Sequence, residues 1–333
     1  MLAMRDRRIM QPGLGGGAGP MIGCQPMTKR DPGADPMAPL PPQPLYLPFQ
    51  PGPYRASMGL LSRPLEALTE FDTQYPVQIA LRRDLLATRH DEVFAALPHA
   101  AAMCAEALDV LVAHLLADRA GWFRRSGRTL INRLTDERWD LDAPVCDPLE
   151  LAGRLVQEDL CLLAPETGLP LVAAVLCFPS RWRLADKIGR PLAAIHGPVP
   201  LYAERLATPV ERFIEKLRSG RLVERFNWSI HDDPALFQPH DHDDETAGAI
   251  TAADAGTRLT LRIERQTLSR LPATGAVLFT IRTHQQSLAR VAAIPGAAAA
   301  LRATAANLPP DVTDYKGIAR IRAVLDEFLA PLA

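Results

Sequence analysis

No CxxC pair, no CxxCH element and no polybasic tract occurs in this 333-residue sequence, and each absence removes a class of protein. The five cysteines, Cys24, Cys104, Cys146, Cys161 and Cys177, are odd in number and scattered, which argues against a disulfide framework and against a structural zinc site. The lack of CxxCH excludes covalent haem attachment. A formal net charge of -1 and a pI near 6.7 leave no electrostatic footprint for nucleic acid or for an anionic membrane. No apolar run approaches the roughly 18 residues that suggest a membrane span. The start, MLAMRDRRIM, is charged and leads into glycine and proline instead of a hydrophobic signal core, so a cytoplasmic location is expected. GxSxG, HExxH and GxxxxGK[ST] are all missing. Gly13, Gly15, Gly16 and Gly17 follow no strand and make no dinucleotide site.

What is present is a hydrophobic content of 47%, enough for one large domain or two modest ones. Residues 1–43 are rich in Gly, Pro and Met without periodicity and are expected to be disordered. Residues 44–150 read as an extended, proline-punctuated segment followed by two helices between Gln78 and Asp118, broken at Leu97-Pro98. Thr129 to Asp140 is a weak segment with room for a short strand. Residues 151–290 carry the more informative order. Leu160–Ala164 and Leu171–Phe178 form a hairpin around PETGLP, helices follow, and then come three strands at Leu222–Ile230, Arg258–Leu268 and Ala276–Thr283. That order is α+β. It matches the Per-Arnt-Sim (PAS) arrangement, an antiparallel sheet with helices on one side that form a ligand cavity, which at this level is fold analogy only. Residues 291–333 close the chain with a long helix over Tyr315–Leu329.

The densest chemistry lies in Phe178–Tyr202, FPSRWRLADKIGRPLAAIHGPVPLY. Leu184, Ile188, Leu192 and Ile195 recur at three and four, predicting a helix over 184–195 that Pro191 kinks or splits in two. His196 falls in its last turn, and Gly197-Pro198 stop it. A histidine there lies beside terminal carbonyls, one of which could accept a ring N–H and leave the other nitrogen free for a metal. Arg181, Arg183, Lys187 and Arg190 could hold carboxylates such as haem propionates. Spacing alone favours the plainer reading, a solvated helix face and a packed histidine.

Other candidates stand beside plainer readings. In LRIERQTLSRLP, alternation puts Arg262 and Glu264 on one face of a strand and Arg265 on the other. Glu264 is either half of an exposed ion pair or, facing a cavity, a proton donor or amine-binding carboxylate. His231, at the end of RFNWSIHDD, is a strand-end residue or a second ligand or distal donor. His284 could reach the cavity mouth. The run His240 to Glu245 resembles a metal site but is compositionally a solvated loop.

FPSRWRLADKIGRPLAAIHGPVPLY, followed by ERFNWSI, RIERQTLSRLP and FTIRT, resembles the haem-dependent oxidative N-demethylase family from about Leu45 onward. The resemblance implies a PAS-like domain with non-covalent haem b, in which dioxygen oxidises an N-methyl group of a small amine and formaldehyde is released. Residue by residue, the histidine of IHxPVP is His196, the expected proximal ligand. Arg181, Trp182, Asp186 and Lys187 match the SRW and DKIG elements. Lys187, Arg181, Trp182, Arg190 and Arg262 are the expected cofactor contacts, and Glu264 and His231 the expected catalytic residues. Electrons have to come from separate reductase subunits, because no flavin, NAD or iron–sulfur motif is present. THQQSL at Thr283–Leu288 departs from the family pattern, where an aromatic residue is expected, and alters the pocket mouth. The alternative is a non-catalytic haem or small-ligand PAS-type sensor or binding module.

Overall fold

The computed structural model describes residues 27–28, 37–240 and 250–333. Most of the 1–43 tail therefore lies outside the described residues, and 37–43 carry no helix or strand. The organising element is a seven-stranded sheet. Its strands are β2 (Leu61–Arg63), β3 (Phe94–Ala96), β7 (Asp159–Leu163), β8 (Leu171–Val175), β9 (Leu222–His231), β10 (Thr260–Arg270) and β11 (Val277–Ser287). They lie in the order β2-β9-β10-β11-β7-β8-β3, and every neighbouring pair is antiparallel. A second sheet, ordered β1-β6-β5-β4, joins β1 (Met27–Thr28) to a meander of β4 (Phe123–Ser126), β5 (Thr129–Asn132) and β6 (Glu137–Asp140).

Local sequence explains most of these elements. β7 and β8 are buried at every position, the pattern of a strand covered on both faces. The turn between them uses Gly168 at φ 84°, a conformation glycine reaches without steric cost. The helix Pro148–Leu155 begins with the Asp147 side chain accepting from Leu149 N at 2.8 Å and with proline in its first turn. Its Gly153 lies so close to the sheet that an added Cβ would stand 2.6 Å from Val175 Cγ1.

The sheet's two faces have different coverings. One face presents Leu160, Leu162, Ala173, Val175 and Leu278 to the helices Tyr75–Thr88, Ala101–Asp118 and Pro148–Leu155. Further along, Trp228, Ile230, Leu261 and Ile263 on that face pack against the carboxy-terminal helices. The opposite face sets Cys161, Leu163, Leu268 and Val277 against Leu184, Leu192, Ile214 and Leu217 of the 184–217 segment. The helix that runs from Pro98 to Asp118 is long and apolar enough to cross a membrane by length and composition, which departs from the expectation of no such run. Here Leu108, Leu111, Val112 and Leu115 bury its stripe in the core.

One expected alternative holds and three expectations change. The 184–195 segment takes the split alternative, as two single turns, Leu184–Asp186 and Leu192–Ile195. Pro191 has no N–H to give. The backbone between the turns bonds instead to the β7–β8 hairpin, Gly189 N to Leu171 O at 2.7 Å, Leu171 N to Arg190 O at 3.1 Å and Leu192 N to Gly168 O at 2.8 Å. Of the terminal helix expected over Tyr315–Leu329, the α-helix Arg322–Leu329 forms; a separate helix, Pro310–Tyr315, precedes it and is ended by Gly317 at φ 68°. Thr129–Asp140 holds two strands of the second sheet, and Phe94–Ala96, read as helix, pairs onto β8.

Candidate functional site

The segment that covers the sheet is strained at both ends of its motif. Arg181 at φ 60° and Leu201 at φ 62° hold a left-handed conformation that costs a residue with a Cβ, and Tyr202–Leu206 form a π-turn. Between them His196 is fixed twice. Its Nδ1–H donates to Leu192 O at 2.9 Å, and its ring stacks on Tyr202 with centroids 4.5 Å apart at 12°. The carbonyl can only accept, so the proton is on Nδ1 and the lone pair of Nε2 is free. Burial pushes the His196 pKa down to about 4, with Lys187 and Arg225 pushing the same way and the Leu192 carbonyl opposing them. The imidazole is neutral at physiological pH, which is the ligating form.

The sheet face beneath is polar. Arg225, Asn227, Ser229 and His231 of β9, Arg262, Glu264 and Gln266 of β10, and Thr283 and Gln285 of β11 share it, because directly opposed residues point the same way. Glu264 sits at its middle. Its Oε2 accepts from Gln266 Nε2 at 2.8 Å and from Asn227 Nδ2 at 3.4 Å. Four cations feel its charge, Arg262 among them. Burial lowers the Lys187, Arg225 and Lys316 pKa values, Lys316 to about 8, while Glu264 opposes each shift. Lys316 reaches the open edge of β9, donating to Trp228 O at 2.6 Å, and Lys187 Nζ lies 4.1 Å from the Trp182 ring centroid. Several buried polar atoms here have no hydrogen-bond partner among the described residues: Arg225 Nε, Tyr202 Oη, Thr283 Oγ1 and Gln285 Nε2. Buried polar groups are nearly always paired, so these four are candidates to meet a ligand.

A family model described as haem-dependent oxidative N-demethylase, alpha subunit-like, matches residues 59–325. The chain belongs to this family. Haem dependence, oxidative N-demethylation and a place in a multi-subunit assembly are what the family's description carries. The matched span contains His196, Glu264 and the whole polar face.

The structure separates the other candidates. Arg262 is fully buried and its terminal nitrogens donate to Phe178 O at 2.8 Å, Leu236 O at 3.0 Å, Pro179 O at 3.2 Å and Ala235 O at 3.2 Å, so it clamps two loops. His231 is satisfied at both nitrogens, donating from Nδ1 to Gln238 Oε1 at 2.6 Å and accepting at Nε2 from Ser229 Oγ at 2.7 Å. Arg181 lies 4.0 Å from Asp232. Arg183 pairs with Asp186 in solvent, and the exposed Arg190 donates to Asp186 O. His284 lies on the opposite face, opposed to Ile263, and donates from Nε2 to Glu70 at 2.9 Å. It does not reach this site. Of the His240–Glu245 run only His240 is among the described residues, and no group of three metal-ligating side chains occurs among those residues.

Arg225 and Tyr202 are the residues that sequence reasoning missed. Both lie inside the motifs ERFNWSI and PVPLY, yet no spacing rule distinguishes a half-buried arginine whose Nε lacks a partner from one on a solvated strand. A separate depression of about 790 Å³ opens at the end of the Ala207–Lys216 helix, lined by residues from Glu215 to Ser219 and by Arg270. The Arg270 guanidinium is taken up by the carbonyls of Leu217, Gly275 and Ile214.

Proposed function

We propose that this chain is the haem-binding, substrate-oxidising subunit of an oxidative N-demethylase, with His196 as the axial ligand of a non-covalent haem b. The observation that carries the reading is the fixed tautomer of His196: Nδ1–H on Leu192 O and Nε2 free, over a face of unpartnered polar atoms. The residues fit the cofactor. A neutral, oriented imidazole suits haem iron, and Lys187 and Arg225 are the cations placed to meet its carboxylates. Trp182, held against Lys187, and Tyr202, stacked on His196, would line the ring's surroundings. The other arginines, Arg181, Arg190 and Arg262, act in this reading on the loops that shape the pocket.

A PAS-like fold is part of the same proposal. Its support is the order β8-β7-β11-β10-β9, which is second, first, fifth, fourth, third among the five strands of the core, with the 184–217 segment laid over one face. Haem supplies dioxygen activation when reduced by electrons from a separate reductase subunit. The protein's own residues bind and orient the amine. Glu264 is the carboxylate assigned to hold the substrate's ammonium: the Asn227 and Gln266 amides fix its Oε2, and no hydrogen bond runs to its Oε1 among the described residues. Oxidation of the methyl carbon gives a carbinolamine that collapses to formaldehyde and the shorter amine. His231 supports the wall through Gln238 and Ser229.

The test is formaldehyde release by haem-loaded protein with an artificial reductant and a panel of methylated amines. Amine-dependent formaldehyde that falls at least about tenfold in Glu264→Gln supports the reading. Undiminished release in that variant removes Glu264 from it, and haem binding without any turnover favours a non-catalytic sensor.

A further inference from the structure

We propose that the amine taken by this site carries an oxygen acceptor, a carboxylate or amide carbonyl, close to its N-methylated nitrogen, and that Thr283 and Gln285 of β11 recognise that acceptor. The inference rests on the reading of Glu264 as the amine-binding carboxylate and adds the substrate class. β10 and β11 pair along their whole length, with Glu264 directly opposite Thr283 and Arg262 directly opposite Gln285. Opposed Cβ atoms on such strands are about 5 Å apart, and diagonal neighbours about 7 Å. Thr283 and Gln285 are therefore the next polar groups a ligand meets along the face from Glu264.

Both are left without partners. Thr283 is 0% exposed and its Oγ1 has no hydrogen bond among the described residues, and the same holds for the buried Nε2 of Gln285. Most of their neighbours on the face are engaged, although Arg225 Nε and Arg262 Nε also lack a partner among the described residues. Arg262 is held by carbonyls, His231 by Ser229 and Gln238, and Asn227 accepts from Lys316 while Gln266 donates to Glu264. The two vacant groups are a hydroxyl and an amide N–H, both able to donate and neither charged. A simple alkyl amine docked on Glu264 offers these donors no acceptor. A site with buried donors favours the ligand that pairs them and discriminates against the analogue that leaves them unpaired. Lys187 and Arg225 take no part in the inference, because the carboxylates of a haem would draw on them.

The experiment is calorimetric titration of haem-loaded, full-length protein with three amines: N-methylglycine, N-methylglycinamide and N-methylisobutylamine. The last matches the amide in shape and lacks the acceptor. The expected result is binding of one acceptor-bearing amine at least about tenfold tighter than the isobutyl analogue, falling to within about twofold in Thr283→Val/Gln285→Leu. Preference for the glycine or for the glycinamide tells a carboxylate from an amide. Equal affinities in the wild type, or a preference that survives in the double variant, overturn the inference and leave the role of Glu264 standing. If no amine binds while the haem spectrum is normal, that role and the inference fall together. Should the double variant lose haem, Gln285→Leu alone is measured, and an undiminished preference there overturns the assignment of Gln285.

Discussion

Replacing Asp159 by alanine tests how the floor of the site is held. Arg82 and Asp159 are both 0% exposed and meet at 2.7 Å, and Arg82 Nε donates to Gly153 O at 2.9 Å. The same carboxylate accepts from Cys177 N at 2.8 Å and Phe178 N at 2.9 Å, so it also pins the start of the segment that leads to His196. Asp159→Ala would leave a buried guanidinium without its counter-charge, at about 3–5 kcal/mol, and two backbone donors unpaired at about 1–3 kcal/mol each. These losses overlap because the loop can relax, so the expected cost is about 5 kcal/mol. That is a large share of the roughly 5–15 kcal/mol that holds a domain of this kind. Denaturant unfolding at pH 7 measures it. Arg82→Met/Asp159→Leu, which removes both charges, should recover about half of the loss or more. A single-variant cost below about 1 kcal/mol, or a double variant no better than the single, would refute the reasoning.

Other outcomes follow from the same geometry. The folded-state pKa of His196, about 4, lies below the ordinary histidine value of about 6.5, so between those values the unfolded chain binds more protons. Its contribution to the stability of haem-free protein is therefore complete above about pH 6.5, falls as pH drops toward 4, and amounts to about 3 kcal/mol at most. Unfolding free energies of wild type and His196→Gln at pH 7.5 and 4.5 isolate it, and equal losses in both proteins would contradict it. Gly153→Ala should destabilise by about 1–3 kcal/mol in the same unfolding assay, because its Cβ would press on Val175. A neutral result would mean that the Pro148–Leu155 helix shifts freely off the sheet. Arg225→Met should lower haem affinity while leaving the unfolding midpoint of haem-free protein nearly unchanged, since no hydrogen bond holds its Nε.

Much of the core was legible because its signals are local. Alternation in LTLRIERQTL put Glu264 and Arg262 on one face and Arg265 on the other, and that is where they are. The five main strands fall within a few residues of the expected spans, since a proline-glycine turn and runs of β-branched and apolar residues act over short distances. The proximity of His196 to a terminal carbonyl was also readable, from Gly197-Pro198 stopping the turn. Long-range competition was not. The break in the 184–195 segment is wider than a proline alone makes because Gly189, Arg190 and Leu192 find backbone partners in the β7–β8 hairpin, which periodicity within the segment does not register. Arg262 looked like an anion ligand until four carbonyls from loops some 26 to 84 positions away closed on it. His284 ends a strand motif and so suggests a mouth residue, but its pairing opposite Ile263 puts it on the other face.

The central claim is that the free Nε2 of His196 ligates haem iron. Purified chain reconstituted with haemin should show a Soret band whose position marks a nitrogen ligand, and His196→Ala should lose that signature while keeping its secondary structure. Added imidazole should restore it by entering the space left by the side chain. A variant spectrum identical to that of the wild type would contradict the account.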